Sequence, residues 1–210
     1  MADKRFAPTI LRFGTIYGLS GRARFDLVVN LLTAKAVVDK RITVIGGDQW
    51  RPFVHVDDAA LAVVRCLKAQ LQLVRDEVIN VGSNEQNYTI RRVGEVIREL
   101  VPTSELIEAG YYGDRRNYRV DFSKIAKLLG FKPAWTLDTG VRQVIDALES
   151  GAVKDYRDPK HSNVRFLDEQ VNYLMSTHGV EWAYDLLKSA ESDVEPKEQV
   201  VRGVGVGVRG

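Results

Sequence analysis

Two tyrosines stand four residues before a lysine, the spacing that places a phenol and an ammonium group on one face of a helix. Such a pair can act as an acid–base group, because a neighbouring positive charge favours the ionised phenol. The pairs are Tyr156–Lys160 and Tyr184–Lys188. Pro159 lies between the two members of the first pair. Proline lacks the N–H that the interior of a helix needs, so this pair is not expected to lie on a helix. The residues around the second pair indicate no cofactor pocket, so we expect neither pair to be catalytic.

The remaining reactive side chains are three histidines and one cysteine: His55, His161, His178 and Cys66. Their spacing matches no metal-binding pattern, so no metal site is predicted. His55 alternates with apolar neighbours and is expected to be a hydrogen-bonded core histidine, whereas the other two are expected in surface loops. Cys66 falls on the apolar side of a helical pattern and is interpreted as a core residue.

A glycine pattern of the form G-x-G-x-x-G occupies residues 205–210. In a dinucleotide-binding turn this pattern follows a strand and opens a helix, so that the pyrophosphate meets the helix N-terminus. Neither element is indicated here. The Gly-Val repeat follows a polar stretch, and we expect residues 193–210 to be disordered.

Composition narrows the class of protein. The 210 residues are 45% hydrophobic and 28% charged, which is typical of a globular domain. With 30 basic and 28 acidic residues the net charge is only +2, which argues against a nucleic-acid partner. A single cysteine excludes an internal disulfide framework, and no apolar run is long enough to cross a membrane. We therefore expect a cytoplasmic protein without a membrane partner.

Periodicity predicts alternating strands and helices, and hence an α/β fold. A helix is predicted over residues 24–38 and another after Asp57 or Asp58, which are candidate caps for a stripe of Ala60, Val63, Val64 and Leu67. Further helices are predicted after Thr89, at Ser123–Gly130 and over residues 136–151. Within residues 8–18 a strand followed by a loop is predicted, and further strands are predicted at 41–48, 51–56, 77–83, 105–110 and 117–122.

Three groups of segments, taken in order, carry a resemblance. They are LRFGTIYG (11–18); RFDLVVN (24–30) with ITVIGGDQWRPFVHVDDAA (42–60); and VINVGS (78–83) with GDRRNYRVDFSKIAKLLGFKP (113–133). Together they resemble the C-terminal portion of the NAD-dependent sugar epimerase/dehydratase family, the extended short-chain dehydrogenases. The resemblance implies a remnant of the C-terminal edge of a Rossmann-type parallel sheet plus a small α+β substrate-binding domain. Residues 1–150 would form this part, 151–192 a helical extension and 193–210 the tail.

The resemblance also implies a function. In the family, an N-terminal Rossmann domain binds NAD or NADP and supplies the catalytic Tyr-x-x-x-Lys pair. We therefore expect this chain to be the nucleotide-sugar-binding part, lacking the cofactor-binding and catalytic half, with no catalytic residue and no bound cofactor of its own. Its expected partners are a nucleotide-diphosphate sugar and a separately encoded Rossmann half or a second copy. The alternative is a non-catalytic nucleotide-sugar-binding module or one half of a split enzyme.

Six residues are candidate substrate contacts by this resemblance: Thr15, Tyr17, Asp26, Asn30, Arg51 and Arg116. Arg51 matches a family arginine that reaches the diphosphate, and a guanidinium fork suits phosphate oxygens. The alternative for Arg51 is an ion pair with Asp48, Asp57 or Asp58. Thr15 stands where many relatives have asparagine beside the sugar.

Each of the other candidates has a structural alternative. Tyr17 belongs to the same loop as Thr15, and packing would also explain it. Asp26 and Asn30 lie one helical turn apart, so a solvated polar face would explain both. Arg116 is a second diphosphate contact in this interpretation, and a partner of Asp114 in the other.

Overall fold

The computed structural model describes residues 6–110 and 116–167. Two compact units divide the chain, Met1–Phe166 and Leu167–Gly210, and every element given below belongs to the first. The predicted tail, most of the predicted helical extension, the second tyrosine–lysine pair and the glycine pattern lie outside the described residues. No helix in the described ranges is long and apolar enough to span a membrane.

The described part is built from helices and largely parallel strands, which confirms the α/β class. Three small sheets are present in it, with strand orders β1–β5, β2–β4–β6 and β3–β7. All neighbours are parallel except β4 and β6. The strands are β1 (Ile10–Phe13), β2 (Thr15–Tyr17), β3 (Arg41–Ile45), β4 (Trp50–His55), β5 (Val78–Val81), β6 (Asn87–Thr89) and β7 (Glu105–Ala109).

Within residues 8–18, where a strand and then a loop were predicted, the structure has two strands that are separated at Gly14. The N–H of Gly14 still donates to Val81 of β5 at 3.0 Å, whereas Thr15 pairs with Phe53 of β4. The chain therefore leaves one sheet and enters another within two residues, and this change carries β2 to the site described below.

The described residues contain six α-helices: α1 (Val28–Ala34), α2 (Val56–Lys68), α3 (Leu71–Val74), α4 (Ile90–Leu100), α5 (Ser123–Leu129) and α6 (Leu137–Glu149). A π-helical turn, Lys35–Asp39, extends α1. The main core joins α1, α4 and α6 to β2, β3 and β4 through fully buried side chains that include Val29, Val44, Phe53, Ile97 and Val141.

Helix α2 departs from prediction at its start and along its face. His55 caps it instead of Asp57 or Asp58, because the imidazole accepts the N–H of Asp57. The buried side of the helix is formed by Asp58, Ala59 and Ala62. The predicted apolar stripe faces outward instead: Val63, Val64 and Leu67 are 38%, 43% and 81% exposed.

Candidate functional site

A cavity of about 660 Å³ lies between the start of α1, β2, β3, β4 and the chain around residue 116. Thr15, Asp26, Arg51 and Arg116 line it, so four of the six predicted contacts meet at one place. Its volume falls within the range of about 300–1,000 Å³ that is usual for small-molecule sites.

Arg51 reaches the cavity from β4, and several oxygen atoms hold its guanidinium. Nη1 donates to the carbonyl of Trp50 at 2.9 Å and to the carbonyl of Arg116, and Nη2 lies 3.4 Å from Oε1 of Gln49. The group also stacks over the ring of Tyr118, 5.4 Å from its centroid. These contacts fix the direction of the arginine fork and leave the group beside the cavity.

Of the three carboxylates that were proposed as alternative partners of Arg51, two bind other groups and the third is exposed. Asp48 pairs with Arg91 at 2.7 Å. Asp58 is 1% exposed and accepts the N–H groups of residues 134–135 at 2.8 and 3.1 Å. Asp57 lies in the first turn of α2, on the solvent side.

The segment that carries Arg116 is not the strand that was predicted over residues 117–122. It passes beside the first residue of β4 in an irregular conformation. The amide of Asn87 binds both the N–H and the carbonyl of Val120, at 3.0 and 3.1 Å. The first N–H of β4 donates to the side chain of Asn117 at 2.9 Å. Side-chain amides thus make most of these hydrogen bonds, beside one main-chain bond from the N–H of Tyr118 to the carbonyl of Trp50 at 3.3 Å.

Asp26 lines the cavity, but other groups of the chain already bind its carboxylate. Arg24 binds both oxygens at 2.9 Å, and the N–H of Asn163 reaches Oδ2 at 3.1 Å. Partial burial would raise the pKa of Asp26, but these hydrogen bonds outweigh it and lower the pKa. Since α1 begins only at Val28, Asp26 does not share a helical face with Asn30, and that prediction was wrong.

Tyr17 and Asn30 lie behind the cavity wall and not on it. Tyr17 is 1% exposed, and its hydroxyl donates to the carbonyl of Thr136 at 3.0 Å. Its burial raises the pKa of the phenol. Asn30 is 2% exposed and uses its amide to bind the N–H and carbonyl of Gly18 and the carbonyl of Arg24. Both side chains are thus buried, and their polar atoms bind other parts of the chain.

The cavity residues that the sequence analysis did not propose include Lys35 and Gln49. Lys35 follows Leu31 by four residues, so the helical pattern could have placed it beside that cavity residue. Gln49 is 5% exposed, and no periodic signal marks it. With Lys35, the cavity has three basic side chains and one carboxylate among the residues described around it.

Other candidate residues are used structurally. His55 is fully buried, stacks on Trp135 at 3.9 Å and contacts Gln143 through Nε2 at 3.0 Å, as expected for a core histidine. Tyr156 precedes the turn Pro159–His161, and its hydroxyl donates to Asp39 at 2.6 Å. His161, expected at the surface, is buried.

The described residues have neither of two features that mark a cofactor or metal site. In the ranges 6–110 and 116–167, no glycine-rich turn joins a strand directly to an α-helix, which is the feature that binds a dinucleotide pyrophosphate. The described residues also contain no cluster of histidine, cysteine and acidic side chains that could hold a metal ion.

The known proteins to which this chain is similar include epimerases and dehydratases that act on nucleotide sugars. UDP-glucuronate 4-epimerase of Thermodesulfobacterium geofontis is 26% identical over 141 residues, covering 66% of this chain and 42% of the relative. dTDP-glucose 4,6-dehydratase of Salmonella typhimurium is 30% identical over 134 residues, covering 58% of this chain and 36% of the relative. A crystal structure of UDP-glucuronic acid 4-epimerase from Bacillus cereus, in complex with UDP-glucuronic acid and NAD, is also similar. It superimposes with a TM-score of 0.60 at 25% identity, covering 70% of this chain and 46% of the Bacillus cereus chain.

The chain therefore spans less than half the length of these relatives. Their folds are of the Rossmann type, which agrees with the parallel strand pairs seen here. The model of the NAD dependent epimerase/dehydratase family matches residues 1–82. The resemblance found in the sequence is confirmed: residues 1–82 match this family model, and the similar proteins are epimerases and dehydratases of nucleotide sugars.

Proposed function

We propose that this chain provides the nucleoside-diphosphate-sugar site of an NAD(P)-dependent epimerase or dehydratase. The observation that carries the proposal is that Thr15, Arg51 and Arg116 line one cavity. Thr15 and Arg116 are 101 positions apart in the sequence. Lys35, in the turn that follows α1, adds a third basic group to the same cavity.

The charge of the cavity suits a diphosphate. Guanidinium groups bind phosphate oxygens through paired N–H donors, and partial enclosure strengthens such bonds relative to open water. The hydroxyl of Thr15, at the start of β2, is a suitable hydrogen-bonding group for a sugar. UDP-glucuronic acid, bound in the Bacillus cereus relative, is the first ligand to test.

The redox step needs NAD or NADP, which accepts and returns a hydride at the sugar. We assign the cofactor to a separate Rossmann-type part, because no dinucleotide-binding turn occurs in the described residues. The task of this chain is then to bind the diphosphate and present the sugar. Two apolar surfaces are available for that part: β1, with Ile10 and Phe13 52% and 38% exposed, and the outer side of α2.

Calorimetric titration of the purified chain tests the binding role. UDP-glucuronic acid, UDP-glucose and dTDP-glucose form the panel, with uridine as the ligand that lacks phosphate. We expect heat from at least one sugar nucleotide and none from uridine. Arg51→Ala should weaken binding by about 10- to 100-fold, the value of one or two charge-assisted hydrogen bonds. Arg51→Lys should recover only part of the loss, because lysine lacks the planar fork.

Arg119→Ala is the matched control. Arg119 is an exposed arginine of the same segment as Arg116, and it stacks on Trp50 at 4.5 Å. It does not line the cavity, so its removal should leave affinity unchanged. Absence of heat with every sugar nucleotide, or equal affinity in the wild type and Arg51→Ala, would refute the proposal.

A turnover assay separates this proposal from a complete enzyme. The purified chain is incubated with NAD or NADP and the same sugar nucleotides, and products are followed by chromatography. We expect no conversion by the chain alone. Conversion would show that the cofactor site is within this chain, and the assignment to a separate Rossmann-type part would be wrong.

A further inference from the structure

Residues 155–166, here called the strap, run back across the loop formed by residues 18–27. The N–H of Phe25 donates to the carbonyl of His161 at 2.9 Å. Nδ1 of His161 binds the carbonyl of Ala23 at 2.8 Å, and this imidazole is 9% exposed. The strap and the loop are thus joined by main-chain and side-chain hydrogen bonds that lie largely out of water.

A second group of contacts lies closer to the cavity. Arg22 donates to the carbonyl of Lys160 at 3.0 Å and to the side chain of Asn163, and it stacks over Phe166 at 5.0 Å. The main-chain N–H of Asn163 meets the carboxylate of Asp26, a cavity residue. One residue of the strap therefore contacts the cavity wall directly.

The other end of the strap is fixed to the π-helical turn that extends α1. Tyr156 and Arg157 both bind the carboxylate of Asp39. Burial and this carboxylate raise the pKa of Tyr156 to about 12, so its hydroxyl remains a donor at neutral pH. The same turn contains Lys35, the third basic residue of the cavity. The strap thus holds the cavity wall at both ends of α1.

We propose that the strap is a positioning element for the cavity: Asn163, together with Arg24, holds Asp26 and thereby fixes loop 18–27 in the conformation that receives the ligand. The inference rests on the proposed function. Asp26 is then a positioning residue and not the ligand contact that its sequence position suggested.

The physical argument concerns the ordering of a loop. Residues 19–27 contain no helix or strand. A loop of that kind loses conformational entropy when a ligand orders it, and this loss reduces affinity. Hydrogen bonds from the strap order the loop beforehand, so the ligand gains the full value of its contacts.

A single substitution can remove the contact between strap and cavity wall. Asn163 begins a helical turn, and Ser162 before it has φ −125° and ψ 128°. Proline is well tolerated at the first position of a helix and after an extended residue. Asn163→Pro therefore deletes the N–H that Asp26 accepts. Asn163→Ala keeps this N–H and removes only the side-chain bond to Arg22, so it is the matched control.

Hydrogen exchange and calorimetry are measured on both variants of the full chain. We expect Asn163→Pro to speed amide exchange in residues 19–27 and to weaken UDP-sugar binding by about tenfold. Asn163→Ala should change both much less. Arg24→Gln removes the ion pair between Arg24 and the carboxylate of Asp26, and it should reproduce both effects. It replaces the proline variant in the test if that variant folds poorly.

Each other outcome has a defined meaning. Unchanged exchange in Asn163→Pro and Arg24→Gln, or faster exchange with unchanged affinity, overturns the role of the strap. If the wild type binds sugar nucleotides and Arg51→Ala does not, while both strap variants bind normally, only the strap proposal fails. If the wild type binds none of them, the proposed function fails and the positioning role falls with it.

Discussion

Arg51 donates a hydrogen bond from its guanidinium to the main-chain carbonyl of Arg116, 65 residues further along the chain. The contact brings two positive side chains to the same cavity. Guanidinium groups bind phosphate oxygens through paired N–H donors, and two of them beside one cavity can bind one diphosphate together. The two arginines are therefore expected to act on a ligand as a unit.

Arg116→Ala tests this unit. We expect sugar-nucleotide affinity to fall by about 10- to 100-fold, and the loss should diminish as salt is added, because part of the contact is exposed. Residues in contact rarely give additive effects. The double variant with Arg51→Ala should therefore weaken binding by a factor different from the product of the two single effects, as measured by calorimetry.

The outcome that contradicts the unit is specific. If Arg116→Ala binds as the wild type does, or no differently from Arg119→Ala, Arg116 is not a ligand contact. Strictly additive effects of Arg51→Ala and Arg116→Ala would show two independent sites of attraction.

Asp58 and Asp57 provide a matched pair for stability. The buried carboxylate of Asp58 accepts two main-chain N–H groups ahead of α6, whereas Asp57 faces solvent. Asp58→Ala leaves two donors without their acceptor, and we expect it to lower the free energy of unfolding by about 2–4 kcal/mol. Asp57→Ala should change it by less than about 1 kcal/mol. Urea titration followed by circular dichroism measures both, and equal effects would contradict this assignment.

Local patterns predicted the elements better than the contacts between them. The apolar spacing of α1 and the cavity position of Arg51 beside Thr15 followed from the sequence and its resemblance. The cap of α2 did not, because an imidazole at position 55 replaced the neighbouring carboxylates. The hydrogen bond from the N–H of Asn163 to Asp26 joins residues that are 137 positions apart, and no local sequence pattern indicates such a contact.

The outward face of α2 shows a different reason for failure. Its stripe of Val63, Val64 and Leu67 has the periodicity of a buried face, yet the buried side here contains smaller residues. Periodicity indicates that a face is apolar, but it does not identify the surface that covers it. The proposed Rossmann-type part would provide that surface.

Acid should remove the stabilisation that Asp26 provides. Its pKa is lowered in the folded state by Arg24 and by the N–H of Asn163, so the contribution is fully present above the unfolded value of about 3.9 and is lost as pH falls through the folded value. The difference in unfolding free energy between the wild type and Asp26→Asn should be constant from neutral pH to about pH 5, and should shrink below about pH 4. A difference that is independent of pH down to the acid transition would contradict the assignment.

The exposed apolar side chains of β1 and α2 should make the chain self-associate when it is purified alone. Among the described residues β1 pairs only with β5, so one of its edges offers free N–H and carbonyl groups. We expect light scattering to give a mass above that of a monomer, or a mass that rises with concentration.

Phe13→Lys and Leu67→Lys should each shift the chain toward the monomer, because a charge in either surface opposes association. Val38→Lys, at a side chain 49% exposed on the π-helical turn, is the control and should leave association unchanged. A wild-type chain that stays monomeric at all concentrations would show that these surfaces do not need a partner.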